Sequence, residues 1–106
     1  MAQRTGKQNA GRLTSVAYGL DGDPTAVATV RYIFAEFVAP YRHTTLSEIA
    51  RDLNTDEVAT ARGGKWHAGT VRYVLRNVAY VPDVIDTSTF EAAQRRLQAL
   101  RPGPPR

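Results

Sequence analysis

The sequence predicts a mainly α single domain of about four helices, with a helix-turn-helix-like core and a small β element. Three observations predict it. Apolar residues recur at three- and four-residue spacing in four separate stretches. Each stretch is bounded by capping or breaking residues, among them Asp23-Pro24, Thr45 with Glu48, Gly63-Gly64 and Asp86. A chain of 106 residues with 42% hydrophobic content is long enough to bury one core and too short for two.

In chain order, residues 1–12 hold Gly, Gln, Asn and cations with almost nothing to bury, so they read as a flexible basic tail. The folded domain is expected over residues 13–101, with a second, proline-rich tail at 102–106. Thr14 to Tyr18 suits a short strand, followed by a turn at Gly19-Leu20-Asp21-Gly22. Asp23 can cap the first helix and Pro24 fits its first position, with Val27, Val30, Ile33, Phe34, Phe37 and Val38 as a core stripe. Pro40 ends that helix and Tyr41 to Thr44 form a loop. Thr45-Leu46-Ser47-Glu48 is a capping box opening a second helix, which buries Leu46, Ile49, Ala50 and Leu53 and whose end Asn54 suits. The polar stretch from Asn54 to Trp66 suggests a β-turn or wing around Gly63-Gly64. A third helix is expected over Ala68–Asn77, with Val71, Val74, Leu75 and Val78 inward. Asp86 suits the cap of a last helix carrying Phe90, Ala93, Leu97 and Leu100 inward, with Arg95, Arg96 and Arg101 favouring its C-terminal end.

Charge narrows the function. The net charge is +4, which suits a polyanionic partner. Its distribution says more: seven of the ten acidic residues precede Val58, and none lies from Val58 to Pro82, where Arg62, Lys65, Arg72 and Arg76 sit. With no cysteine the chain offers neither disulfides nor thiolate metal sites, and His43 and His67 have no third ligand in view, so no metal or other cofactor is expected. No Ser/His/Asp set, carboxylate pair or phosphate-loop motif can be assembled, so catalysis by this chain alone is not expected. No apolar run approaches the ~20 residues of a membrane span, and the start lacks the apolar stretch of a signal peptide, so the expected location is cytoplasmic.

Successive helical residues turn by about 100°, so the face of the third helix opposite Val71, Leu75 and Val78 holds Gly69, Arg72, Tyr73 and Arg76. An arginine there can bond a guanine edge bidentately or hold a phosphate, and Gly69 near the helix start would let backbone amides approach a phosphate. The same residues equally suit an ordinary solvated face. Arg62, Gly63, Gly64 and Lys65 can hug a backbone or form a plain surface hairpin. Trp66 reads as a core anchor beneath that loop rather than a base-stacking group. His67 stands where the third helix begins, suited to a phosphate or to no ligand at all.

The order of these segments is distinctive. Leu46-Ser47-Glu48-Ile49-Ala50-Arg51-Asp52-Leu53-Asn54, then Thr60-Ala61-Arg62-Gly63-Gly64-Lys65-Trp66, then Thr70-Val71 and Val74-Leu75-Arg76-Asn77 with Tyr80, resembles the recombinase DNA-binding domain of large serine recombinases. Ala17-Tyr18-Gly19 and the Val30 to Phe34 helix resemble that family's entry segment, and Val84 to Gln94 its closing helix, so the resemblance covers about residues 11–100. His67 stands where the family often has a serine able to cap the helix. In full-length members a catalytic domain bearing the serine nucleophile comes first and a cysteine-rich zinc ribbon often follows, and this sequence resembles neither.

The resemblance implies double-stranded DNA binding, as the site-recognition module of a serine site-specific recombinase in DNA integration or recombination. The implied DNA-facing residues are Arg62, Lys65, His67, Gly69, Thr70, Arg72, Tyr73 and Arg76. Expected partners are duplex DNA and a recombinase catalytic domain or a second copy on DNA. Two other readings stay open: a free-standing DNA-binding regulator or excision accessory protein, and a protein-interaction module presenting an apolar helix face.

Overall fold

The computed structural model of the chain describes residues 18–20, 22–42, 44–60 and 63–100. Asp23 takes an extended conformation and its carboxylate accepts from the Thr25 amide at 3.0 Å, and Pro24 follows at the first helical position, so α1 runs Pro24–Val38. Its inward stripe is Val30, Ile33, Phe34 and Phe37, all at 0% exposure, with Val27 and Val38 half-buried. Thr29 is also buried, and its hydroxyl donates to the Thr25 carbonyl one turn back, which satisfies it without a tertiary partner.

The capping box at Thr45 forms in full: the Glu48 amide donates to Thr45 Oγ1 (3.0 Å) and the Thr45 amide to Glu48 Oε1 (2.8 Å). It opens α2, Leu46–Thr55, which buries Ile49, Ala50 and Leu53 with Leu46 half-buried. The helix stops in a Schellman arrangement, with the Val58 amide on the Leu53 carbonyl and the Glu57 amide on the Asn54 carbonyl, both at 3.0 Å. Glu57 occupies the left-handed position there (φ 58°), where glycine is the usual residue.

Helix α3 spans Ala68–Arg76 and buries Val71, Val74 and Leu75. It ends one residue earlier than its apolar spacing suggests, because Asn77 goes extended (φ −85°, ψ 105°) and starts a short 3-10 helix, Val78–Tyr80. This corrects the expectation for Val78: it faces solvent, at 66% exposure. Tyr80, not Val78, returns to the core. It is fully buried, stands edge-on to Phe34 and donates its hydroxyl to the Tyr18 carbonyl. Burial raises the Tyr80 phenol above its ordinary pKa, so it remains a neutral donor.

Asp86 accepts from the Thr89 amide (3.2 Å) and from the Ser88 and Thr89 hydroxyls, opening α4, Thr87–Leu100. Ala93 and Leu97 are buried and Phe90 is half-buried, whereas Leu100 is 49% exposed, contrary to its expected inward position. The last turn of α4 holds no basic residue, and Arg101 lies outside the described residues; Arg96 serves another helix instead. Its guanidinium donates to the Phe37 carbonyl (2.9 Å) at the end of α1 and to the Thr44 carbonyl (3.0 Å), and lies 4.7 Å from the Phe37 ring centroid.

Helix α2 packs most extensively on α3, and α1 on α4, so one core joins all four. The protein is mainly helical, and there is no strand among the described residues. Of the expected Thr14–Tyr18 strand only Tyr18 is described, and it sits in a turn; the tails at 1–12 and 102–106 lie outside the described residues. Among the described residues no helix is long and apolar enough to cross a membrane.

Candidate nucleic-acid interface

The segment between α2 and α3 is held from below by Trp66 and Asn54. Trp66 is 2% exposed, meets Tyr18 edge-on at 5.6 Å between ring centroids, and donates its indole N–H to the Val58 carbonyl at 3.0 Å. Asn54 reaches across from α2 with both ends of its amide: Nδ2 donates to the Trp66 carbonyl (2.9 Å) and Oδ1 accepts from the Trp66 amide (2.8 Å). This side chain therefore fixes the residues on either side of Trp66, namely Lys65 and His67, rather than ending its own helix. Ahead of Lys65 the loop bends at Gly63, which adopts φ 82°. Thr60 Oγ1 donates to the Gly64 carbonyl at 3.1 Å.

His67 is extended (φ −132°, ψ 163°) and its side chain makes no capping bond to α3. The other three helices each have a side-chain oxygen on their first amides, from Asp23, Thr45 and Asp86. The solvent face of α3 then presents Gly69, Arg72, Tyr73 and Arg76, with Tyr73 at 67% exposure. Together with Asn77 and Val78 these four line an open groove of about 550 Å³. A Cβ added at Gly69 would meet nothing within 4 Å, so the fold itself does not demand a glycine there.

Lys65 and His67 belong to a second, neighbouring groove of about 490 Å³, whose other wall is the Ser47, Arg51, Asn54 and Thr55 face of α2. The first turn of α3 contributes to both, with Ala68 lining this groove and Gly69 the other. Thr70 is half-buried and lines neither. Arg62 and His43 lie outside the described residues. Arg51 is the cation that sequence reasoning missed. Its spacing from Ser47 and Thr55, four residues each way, puts all three on one face, but only the packing of α2 against the Lys65–His67 segment shows which way that face points. Among the described residues no three His, Asp or Glu side chains converge as a metal site would require.

A comparison with protein-family models matches residues 24–82, more than half of the chain, to the family described as Recombinase. The chain belongs to the Recombinase family. The match runs from the first residue of α1 to Pro82, just past the buried Tyr80, so the Recombinase segment takes in α1, α2, α3 and both grooves. It is narrower than the resemblance over about residues 11–100 and excludes α4, although α4 completes the core beneath the Recombinase helices. Membership points to a role in DNA recombination. No curated protein and no solved structure matches the chain at a significant level.

Proposed function

We propose that the chain binds double-stranded DNA, as the site-recognition module of a serine site-specific recombinase. One observation carries the reading furthest: two arginines, a tyrosine and a glycine share an open groove on the solvent face of α3, the helix whose opposite face is core. A helix of this kind, preceded by a packed partner helix, fits the major groove of B-DNA, about 12 Å wide. In this reading Arg72, Tyr73 and Arg76 face base edges and flanking phosphates. Lys65 and His67 hold the backbone, together with Arg62 in the same loop and Arg51 from α2, since the first helix of such a pair crosses the backbone. Gly69 leaves the first amides of α3 open to a phosphate, and Thr70 flanks it. The unit assigned this function is residues 13–101, acting with a recombinase catalytic domain or a second copy on DNA.

The test is the double substitution Arg72→Ala with Arg76→Ala in the full chain. Both side chains lie outside the core, so helical circular dichroism should be unchanged while duplex affinity falls. Each phosphate that the protein no longer neutralises should flatten the dependence of log affinity on log salt by about 0.9. Duplex binding as tight as the parent's at moderate salt would exclude this face of α3.

A further inference from the structure

Valine is among the residues most often buried, yet Val78 stands 66% exposed in the same groove as Arg72 and Arg76. The backbone explains how it comes to be there. Val71, Val74 and Leu75 set a stripe that a continued helix would extend through residue 78, but α3 stops at Arg76 and the extended Asn77 redirects the chain. The turn is held on both sides: Asn77 Oδ1 accepts from the Ala79 amide at 3.0 Å, and two residues beyond Val78 the Tyr80 side chain is locked in the core. Val78 is thus presented on a rigid turn, with a β-branched side chain of restricted χ1. Tyr73, also exposed, lines the same groove.

A surface built only to hold phosphates has no use for an apolar side chain among its cations. A surface that reads base edges does. In the major groove guanine offers two acceptors to an arginine, and thymine offers its C5-methyl group to an apolar side chain. Cationic and apolar groups side by side, in a stretch without an acidic residue from Val58 to Pro82, complement that mixed edge. Resting on the DNA-binding reading above, we propose that Val78 is a specificity-determining residue that packs against the C5-methyl of a thymine in the recognition site, beside the bases faced by Arg72 and Arg76.

The test uses the full chain and a duplex selected by it from a random pool at moderate salt. Each thymine of that duplex is replaced in turn by deoxyuridine, which removes the methyl group alone. At one thymine the replacement should weaken the parent about fourfold, the size expected for one methyl group returned to water. Val78→Ala should bind the unmodified duplex about as weakly and should no longer respond to deoxyuridine at that position. Its salt dependence should match the parent's, because the same phosphates remain neutralised. A parent that binds tightly yet ignores every replacement, a selected site without thymine, or a Val78→Ala protein that keeps the parent's sensitivity would each overturn the assignment while leaving DNA binding intact. Absence of any salt-sensitive duplex affinity in the parent would overturn the DNA-binding reading itself and Val78's role with it.

Discussion

Asn54 offers the sharpest test of how the fold positions the site. Replacing it by Ala removes two hydrogen bonds, of 2.9 and 2.8 Å, to the carbonyl and amide of Trp66. Each such bond contributes about 1 kcal/mol net, and the two Trp66 groups would remain partly buried with no side chain to answer them. The expected loss is about 2–3 kcal/mol, which for a chain of this size lowers Tm on the order of 10 °C. Trp66 is the only tryptophan, so urea unfolding followed by its fluorescence reads the clamp directly. Asn54→Asp keeps an acceptor for the Trp66 amide but sets a carboxylate oxygen against the Trp66 carbonyl, so it should fare no better than Ala. Under conditions where either variant is fully folded, duplex binding should still be weaker than the parent's, because Lys65 and His67 flank the released residue. A loss in stability below about 0.5 kcal/mol for Asn54→Ala, the range of ordinary surface changes, would refute the clamp.

Three further outcomes follow from helix ends. His67→Ser supplies the oxygen that α3 lacks and should raise stability by about 0.5–1 kcal/mol in chemical denaturation, with no gain if the first amides of α3 are already well served by solvent. Glu57→Gly relieves a left-handed residue and removes an acidic group from the end of α2, so it should add about 1 kcal/mol by the same measurement. At Asp86, hydrogen bonds from the Ser88 and Thr89 hydroxyls and the Thr89 amide hold the carboxyl down at about 2, from an ordinary 3.8. A depressed carboxylate pKa contributes stability above the unfolded value and loses it as pH falls through the folded one. The parent should therefore lose stability more steeply than Asp86→Asn between about pH 4 and pH 2, as read from urea midpoints across that range.

Local signals were legible and long-range ones were not. The caps at Asp23, Thr45 with Glu48, and Asp86 all form, because each depends on residues within three positions of itself. The outward set Gly69, Arg72, Tyr73 and Arg76 follows from helical rotation alone, and the structure places all four along one groove, with Arg72 half-buried. Val78 was misjudged because apolar spacing cannot register where a backbone turns, and Asn77 turns it one residue too soon. Arg96 had the right chemistry on the wrong helix: it meets the Phe37 carbonyl near the end of α1, 59 residues away in sequence, not the last carbonyls of α4. Arg51 and Asn54 stayed hidden for a related reason, since their partners at Lys65, Trp66 and His67 come from the packing of α2 against the following segment.

Beneath the net charge of +4, α2 carries opposite charges on two of its faces. Arg51 and Asp52 are neighbours in sequence, but about 100° of rotation separates them. Arg51 turns toward the groove shared with Lys65 and His67. Asp52 and Asp56 act on the other side, where with Glu36 of α1 they add to the effect of burial in raising the pKa of Tyr32. Burial is the larger cause of that shift, and the three carboxylates add to it while Arg42 opposes them. Arg42 pairs with Glu36 at 2.8 Å on the acidic side and so adds little to the field of the basic one. In the proposed DNA-binding reading the Arg51 flank of α2, beside Lys65 and His67, is the one turned to the phosphates, and the Asp52 flank is turned away from them. Under that reading Arg51→Glu should reduce the association rate with duplex DNA more at low salt than at high salt, and a rate unchanged at low salt would remove Arg51 from the encounter.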